Sequence, residues 1–289
     1  MTEKENGTTA GTLYLCATPI GNLSDITLRV LETLRTVDLI AAEDTRNTLK
    51  LLNHYEIRKP LTSYHEHNKY EKAQELICRL LAGENIALVT DAGTPVISDP
   101  GEVLAALCIE RGIRVTSLPG ACALITALTM SGMPARRFVF EGFLPADRKE
   151  RVRVLDGLRQ EERTIILYEA PHRLRATLRE LTDLLGDRRI VLCRELTKKY
   201  EEALPFSLPE ALAYYEEKEP RGEYVLILEG ADPEEIKAQQ QAVWEQMSIP
   251  EHVALYERRG LDRKEAMKRA ALDRGVPKRE IYRALLPEE

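Results

Sequence analysis

The most informative part of the sequence is Leu88-Val89-Thr90-Asp91-Ala92-Gly93-Thr94-Pro95-Val96-Ile97-Ser98-Asp99-Pro100-Gly101. Residues 86–89 form a short apolar run that is typical of a buried strand in a parallel sheet, and the residues after Gly101 have helical apolar spacing. The turn between them therefore lies at the carboxyl end of a strand. In open α/β sheets, ligands bind at that edge because its loops expose backbone N–H groups and helix N-termini. The same residues would also suit a purely structural turn, since a single glycine-rich turn is a weak signal.

Two further stretches repeat this strand–turn–helix design. Residues 13–17 predict a first strand, which the turn Thr18-Pro19-Ile20-Gly21-Asn22 and a helix follow. Residues 113–118 predict another strand, followed by Pro119-Gly120 and a helix that begins with small residues. Three such turns on neighbouring strands would converge on one cleft, which favours ligand binding over a structural role.

Composition indicates a globular protein. Of the 289 residues, 44% are hydrophobic and 30% are charged, and no apolar run approaches the ~20 residues that a membrane-spanning helix needs. The first eleven residues lack the apolar core of a signal peptide. We therefore expect a cytoplasmic protein that does not associate with membranes.

The sequence does not favour a metal or disulfide site. The five cysteines are scattered and never have CxxC spacing, so buried free thiols are the preferred interpretation. His65 and His67 form an HxH pair, but no third ligand is identifiable from the sequence. We predict no metal.

Charge is distributed unevenly along the chain. The formal net charge is −6, yet residues 257–284 contain ten basic and five acidic side chains, a net +5 that leaves −11 for the rest. Such a basic segment suggests a surface for nucleic acid, although a solvated helix face is the alternative.

Strands alternate with helices along most of the chain, which predicts two α/β domains with largely parallel sheets. We expect a flexible leader over residues 1–11, an N-terminal domain over 12–135 and a second domain over 136–232. From residue 233 the pattern is wholly helical. Residues 261–274 and 278–286 predict two helices around a tight turn, a basic, helix-turn-helix-like region within 233–289.

Eight motifs make a resemblance specific: TPIGNLSDIT (18–27), AAEDTR (41–46), TDAGTPVISDPG (90–101), LPGACALITAL (118–128), FEGFLP (140–145), YEAPHR (168–173), CRELTKKYEE (193–202) and RGEYVLILEG (221–230). In this order they resemble the bacterial small-subunit ribosomal RNA methyltransferase I family, which belongs to the tetrapyrrole-methylase superfamily. The resemblance covers about residues 12–230. It implies a tetrapyrrole-methylase-like fold with a cofactor cleft between the two domains.

The activity that this resemblance implies is methylation, with S-adenosylmethionine, of the ribose 2′-hydroxyl of a decoding-site cytidine, cytidine 1402 of bacterial 16S rRNA. The implied partner is 16S rRNA within the small ribosomal subunit, and the implied assembly is a homodimer. Two motifs depart from the tetrapyrrole methylases: Gly93-Thr94-Pro95 replaces their Gly-Asp-Pro, and Thr-Pro-Ile-Gly-Asn replaces their Gly-x-Gly-Pro-Gly. These departures argue against a porphyrinoid substrate.

Matching the motifs residue by residue assigns the cofactor to two groups of positions. In the first domain the resemblance implies Pro19, Asp91, Gly93, Thr94, Ile97, Cys122 and Ala123, and in the second it implies Tyr168, Gly222 and Glu223.

Methyl transfer also requires that the acceptor hydroxyl lose a proton. The candidate groups are carboxylates at predicted strand or loop ends: Asp25, Glu43, Asp44, Glu169 and Glu195. We favour the turn Glu43-Asp44-Thr45-Arg46, with Glu43 or Asp44 accepting a hydrogen bond from the ribose and Arg46 holding the RNA backbone. Each carboxylate has an alternative role as a helix cap or ion-pair partner. Arg173, Lys198 and Lys199 are further candidates for phosphate or ribose contacts.

Two other classes of function stay open. A small-molecule methyltransferase of the tetrapyrrole type would share the cleft but would not need the basic C-terminal helices. A non-catalytic RNA-binding protein would keep the helices but would not need three ligand-binding turns.

Overall fold

The structure is a computed structural model, and it describes residues 10–234, 236, 244 and 246–285. The predicted leader, apart from its last two residues, lies outside the described residues. The chain divides into two compact units. The first runs through Asp156 and resumes over Thr164–Glu229, and the second comprises Gly157–Arg163 and the residues from Gly230 onward.

The first sheet of the larger unit is parallel throughout. Its strand order is β3-β2-β4-β1-β5, from β1 (Thr12–Cys16), β2 (Leu39–Ala42), β3 (Leu61–Ser63), β4 (Ile86–Val89) and β5 (Arg114–Leu118). All residues of the central strands β2 and β4 are buried, with apolar clusters on both faces of the sheet. This double burial explains why these strands are continuous apolar runs.

The helices of this part follow the strands as the alternating pattern predicts. They are α1 (Leu28–Thr36), α2 (Thr45–His54), α3 (Lys69–Leu81), α4 (Gly101–Glu110) and α5 (Ala123–Ser131). Thr27 caps α1 by accepting a hydrogen bond from the backbone N–H of Val30, and Asp44 caps α2 in the same manner from Arg46. Because β4, β1 and β5 are neighbours in the parallel sheet, their carboxyl ends are adjacent, and each is followed by one of the predicted turns.

The second sheet differs from the expectation of a largely parallel arrangement. Its order is β6-β7-β10-β8-β9, from β6 (Phe138–Phe143), β7 (Thr164–Glu169), β8 (Arg189–Arg194), β9 (Glu202–Ser207) and β10 (Tyr224–Leu228). Only β6 and β7 pair in parallel, and the other three pairs are antiparallel. The short loop between β8 and β9 explains part of this difference, since a parallel crossover needs a dozen or more residues.

The second sheet is accompanied by α6 (Arg148–Leu158), α7 (Pro171–Leu185) and α8 (Leu208–Glu217). The sequence did not predict β9, which lies at the edge of the sheet and contains Pro205. An edge position tolerates a proline because one side of the strand donates no ladder hydrogen bond.

The smaller unit contains the predicted C-terminal helices. These are α9 (Ile249–Arg258), α10 (Arg263–Asp273) and α11 (Lys278–Ala284), and they pack around Val253, Ala266, Met267, Ala270 and Ile281. The predicted helix pair at residues 261–274 and 278–286 is thus present, with Leu286 outside the described residues. Every helix within the described ranges is too short or too polar to span a bilayer.

Candidate functional site

Three predicted turns meet at the carboxyl edge of the first sheet. Thr18 and Gly93 exchange backbone hydrogen bonds at 2.9 and 3.0 Å, which joins the turn after β1 to the turn after β4. The hydroxyl of Thr94 donates to the carbonyl oxygen of Ala121 at 3.0 Å, which joins the turn after β4 to the turn after β5. The expected convergence of the three turns therefore occurs, and these hydrogen bonds fix it.

A cavity of about 270 Å³ lies beside these turns, and residues from the second sheet complete its wall. We call it the first cavity. The residues implied for the cofactor that line it are Asp91, Gly93, Thr94, Ile97, Cys122, Ala123, Tyr168 and Glu223. Glu43, from the candidate proton-accepting turn, lines it as well. The larger part of the implied site thus shares one cavity.

Gly93, which lines this cavity, permits a close approach to the backbone. Its φ of +90° lies in the region that disfavours residues with a side chain. A Cβ atom there would come to 3.4 Å from Cγ2 of Ile20 and 3.7 Å from the carbonyl oxygen of Ala121. The turn therefore needs glycine for its backbone conformation, whereas a Cβ atom would only make ordinary van der Waals contacts with these two groups.

Pro19 and Gly222 do not line the first cavity. Pro19 lines a second cavity, described below. Gly222 has a φ of +77°, and a Cβ atom there would come to 2.5 Å from Oε1 of Glu195. Gly222 therefore leaves space for Glu195, which itself lines the first cavity.

The side chains of the turn at residues 43–46 have two different environments. Oε2 of Glu43 accepts a hydrogen bond at 2.5 Å from the Thr90 hydroxyl and faces the first cavity. The carboxylate of Asp44 caps α2 and pairs with Arg46 at 2.6 Å. The Arg46 side chain is 86% exposed, and its guanidinium lowers the Asp44 pKa to about 2. Neither Asp44 nor Arg46 lines the cavity, so only Glu43 combines exposure to the cavity with a fixed position.

The first cavity is strongly acidic. The described residues that line it include six carboxylates and a single lysine: Glu43, Asp91, Asp99, Glu169, Glu195, Glu223 and Lys198. Such a wall favours a bound cation and disfavours an anion.

Asp99 is a lining residue that the assignment from the motifs omitted. Its Oδ1 accepts a hydrogen bond from the Gly101 N–H at 2.8 Å, whereas its buried Oδ2 has no protein partner. Burial raises the pKa of this carboxyl, and Glu43 raises it further. The segment before it is held by Val96 and Ser98, whose φ angles of +78° and +61° are unusual for residues with side chains.

Tyr168 forms an aromatic part of the wall. Its hydroxyl oxygen accepts a hydrogen bond at 3.1 Å from the backbone N–H of Leu124, at the start of α5. The ring contacts Phe140 and Phe143 edge to face, with centroids 4.9 and 5.6 Å away. Burial raises the pKa of Tyr168 to about 12, so the phenol is neutral and serves as a fixed surface.

The remaining carboxylate candidates either form ion pairs or lie outside the first cavity, so they are less available than Glu43 to accept a proton. Glu169 is 1% exposed, accepts from the Thr177 hydroxyl at 2.5 Å and pairs with Arg173. Glu195 pairs with Lys198 at 3.0 Å. Both line the first cavity, whereas the exposed Asp25 does not.

The cationic candidates other than Arg46 are spread around the site. Lys198 lines the first cavity, whereas Arg173 and Lys199 do not. Arg173 donates to the carbonyl oxygen of Leu144 at 2.7 Å, and Lys199 lies over the Tyr200 ring.

His65 and His67 lie with ring centroids 6.0 Å apart, and neither lines the cavity. Across the described part of the chain, no three His, Cys, Asp or Glu side chains are grouped as a metal site.

Several lining residues belong to the quoted motifs, but nothing local in those motifs indicated that their side chains line a cavity. Phe143 ends β6, Leu196 lies in the loop after β8 and Val225 lies on β10. Only the pairing of the second sheet brings these three elements to one wall. For Asp99 a signal existed, because it belongs to the same conspicuous turn as Gly93.

A second cavity of about 220 Å³ adjoins the first, and Thr90 and Asp91 line both. The turn after β1 and helix α2 form its other walls, through residues that include Pro19, Leu23, Asn47, Lys50 and Leu51.

Comparison with known proteins supports the resemblance in the motifs. Residues 12–212 match the family model of Tetrapyrrole (Corrin/Porphyrin) Methylases. A Synechocystis protein named Ribosomal RNA small subunit methyltransferase I is 50% identical over 280 residues, which cover 96% of this chain and 99% of that protein. A Thermotoga maritima protein of the same name is 46% identical over 222 residues, which cover 77% of this chain and 100% of that protein.

Among solved structures, the uroporphyrin-III C-methyltransferase from Thermus thermophilus complexed with S-adenyl homocysteine superposes with a TM-score of 0.54. The two chains are 18% identical, and the match covers 76% of this chain and 97% of that one. At this identity the similarity shows the fold alone, which is that of the tetrapyrrole methylases. The sequence relatives establish that this chain belongs to the ribosomal RNA small subunit methyltransferase I family.

Proposed function

We propose that this protein uses S-adenosylmethionine to methylate the ribose 2′-hydroxyl of a decoding-site cytidine in 16S rRNA, within the small ribosomal subunit. The observation that carries the proposal is the acidic first cavity at the junction of three turns, in a chain of this family. Its charge suits a sulfonium cofactor, and its turns supply backbone groups to a nucleoside.

The residues of the first cavity fit this cofactor. When bound, S-adenosylmethionine supplies a methyl group whose bond to sulfur breaks with the electron pair remaining on sulfur. Gly93 leaves room for a ligand against the backbone, and Cys122 and Ala123 are small. The orphaned Oδ2 of Asp99 and the carboxylate of Asp91 offer acceptors, and Tyr168 offers an aromatic face.

Glu43 is our choice for assisting proton loss from the ribose. Its carboxylate lines the first cavity while the Thr90 hydroxyl holds one of its oxygens. A hydroxyl that donates to the free lone pairs of this group is oriented for attack, and its proton leaves as the new C–O bond forms. Asp44 is the weaker choice, since its carboxylate is occupied by the α2 cap and by Arg46.

RNA binding is assigned in part to the smaller unit. Its helices α9–α11 carry most of the net +5 of residues 257–284, whereas the rest of the chain is acidic. A basic segment of this kind is better suited to substrate affinity than to chemistry. The cytoplasmic location and the homodimer implied by the resemblance complete the proposal.

Incubation with radiolabelled S-adenosylmethionine tests the activity. Small ribosomal subunits lacking the modification, naked 16S rRNA and a porphyrinoid are offered in parallel. Label in the cytidine ribose of the RNA is the expected result, and alkaline resistance of the adjacent phosphodiester identifies the 2′-O position. Label in the porphyrinoid alone would indicate a small-molecule methyltransferase. RNA binding without any transfer would indicate a non-catalytic RNA-binding protein.

A further inference from the structure

The second cavity differs in charge from the first, although Thr90 and Asp91 line both. Among the described residues that line the second cavity, only Asp91 and Lys50 are charged. The phosphates of an RNA strand would be repelled by the six carboxylates of the first cavity. A polyanionic substrate must therefore approach the reacting centre from a less acidic side, and the second cavity adjoins it on such a side.

Helix α2 gives that side a row of basic groups. Arg46, Lys50 and His54 lie at positions i, i+4 and i+8, so they share one face of the helix, and all three are exposed. We call these three residues the α2 ridge. The helix contains no acidic residue between Thr45 and His54. Within the described part of the chain Lys50 forms no ion pair, and its only hydrogen bond is a long one, 3.4 Å to Asn47.

The second cavity also offers groups suited to a ribose. The side-chain amide of Asn47 donates to Oδ2 of Asp91 at 3.1 Å, which fixes both groups at the cavity wall. Each can accept a further hydrogen bond from a sugar hydroxyl. Pro19, Leu23 and Leu51 supply an apolar surface for the carbon face of a sugar or for a base.

We propose that the second cavity receives the acceptor nucleotide and that the α2 ridge binds the phosphates of its strand. Asp91 then stands between the acceptor ribose and the first cavity. The assignment rests on the proposed function, because it presumes methyl transfer to RNA. It also gives Pro19 a role on the acceptor side rather than on the cofactor side.

Filling the second cavity tests this inference. Leu51→Trp adds bulk where Leu51 lines the cavity, whereas Leu49→Trp adds the same bulk at a position on the same helix that is 49% exposed. We expect Leu51→Trp to retain cofactor affinity. Its kcat/KM for unmethylated small subunits should fall by at least about tenfold, because the acceptor nucleotide binds less well. Leu49→Trp should remain close to the wild type.

Reversing the ridge charge gives a second test that does not depend on cavity packing. Lys50→Glu is compared with Lys72→Glu, which makes the same change of charge on α3 at a lysine paired with Glu75. Lys50→Glu should weaken RNA binding and reduce its salt dependence by about the share of one phosphate contact, while cofactor affinity is retained. The control should change neither quantity appreciably.

The outcomes separate this inference from the proposed function. A wild-type protein that transfers no methyl group to any RNA would overturn the proposed function. A wild-type protein that methylates small subunits, accompanied by unaltered kcat/KM in Leu51→Trp and Lys50→Glu, would overturn the acceptor assignment alone. Loss of cofactor affinity in a soluble, folded Leu51→Trp would also overturn it, because the second cavity would then belong to the cofactor.

Discussion

Asp91, in the turn after β4, accepts a hydrogen bond at 3.1 Å from the backbone N–H of Asp44, at the start of helix α2. In the return direction, Glu43 accepts from the Thr90 hydroxyl. These reciprocal contacts hold the acidic turn after β2 against the turn after β4. Because Thr90 and Asp91 line both cavities, this junction is the boundary across which we expect the methyl group to pass.

The first prediction distinguishes the two carboxylates of this turn. Glu43→Gln should slow single-turnover methylation of small subunits by ~10²–10⁴ at saturating cofactor, as expected for a positioned proton acceptor. Asp44→Asn should react at nearly the wild-type rate and lose little stability, because asparagine also caps a helix and the pairing with Arg46 lies at the exposed surface. Near wild-type rates in Glu43→Gln would reassign proton loss to Glu195, Glu169 or groups of the RNA.

The second prediction concerns Gly93. Gly93→Val should abolish S-adenosylmethionine binding, because a β-branched side chain occupies the approach to the backbone. Gly112→Val is the matched control, since Gly112 also has a positive φ, of +68°, but a Cβ atom there would meet nothing within 4 Å. Both variants incur backbone strain, and only the first should lose binding in calorimetry. Equal affinity in the two variants would remove Gly93 from the site.

The third prediction uses the raised pKa of Asp99. A bound sulfonium favours the ionised carboxylate, whereas burial in the free protein favours the protonated form. Cofactor affinity should therefore rise with pH through the interval just above the usual aspartate pKa, as Asp99 ionises. Asp99→Asn should flatten this dependence, and Asp183→Asn, at an exposed position on α7, should not. Calorimetric affinities measured across pH 4 to 7, about the range in which shifted carboxylates titrate, check the difference.

The parts of the fold that the sequence predicted correctly depend on local patterns. The strands β1 and β4 are largely apolar runs, all three of β1, β4 and β5 end in turns that contain Gly and Pro, and their parallel order brings the turns together. Local patterns do not determine pairing direction, however. The apolar run of β10 would look the same for either direction, and the structure shows that β10 lies between β7 and β8 and is antiparallel to both.

The grouping of the candidate residues around one cavity was predictable to a similar extent. Gly93, Thr94 and Cys122 line the first cavity as their motifs imply, because each lies in a turn at the sheet edge. Pro19 and Asp44 carry equally conspicuous motifs but lie outside that cavity, since motif membership does not fix the direction of a side chain. Such assignments require the hydrogen bonds that orient each turn.

The fourth prediction concerns the basic C-terminal unit. Lys278, Arg279 and Arg283 are exposed on α11 beside the 59% exposed Tyr282, and none of the three pairs with an acidic side chain in the described residues. Reversing all three to glutamate should spare cofactor binding, weaken RNA binding and lower its salt slope by up to about two, at roughly 0.7 per phosphate contact. Deleting the chain after Asp232 should act in the same direction. An unchanged slope in both variants would assign the unit to folding or dimerisation.

The last prediction concerns His252, which is fully buried in the C-terminal unit. Its ring stacks on Trp244 at 4.1 Å, and its Nδ1 accepts a hydrogen bond from Nε of Arg274 at 3.0 Å. Burial lowers the His252 pKa and Arg274 lowers it further, while Asp273 opposes the shift. As pH falls below the usual value of 6.5, the unfolded chain therefore binds a proton before the folded one does.

It follows that the stability contributed by neutral His252 is fully present above pH 6.5 and is lost as pH falls toward the lowered pKa. The loss should be about 1.4 kcal/mol for each unit by which the two pKa values differ. Trp244 is the only tryptophan of the chain, so its fluorescence during urea unfolding reports on this unit. His252→Gln keeps an acceptor for Arg274 but cannot titrate. Its unfolding midpoint should be lower than that of the wild type at neutral pH and nearly constant between pH 7 and 5, where the wild-type midpoint falls. An equally steep fall in the variant would attribute the pH dependence to other groups.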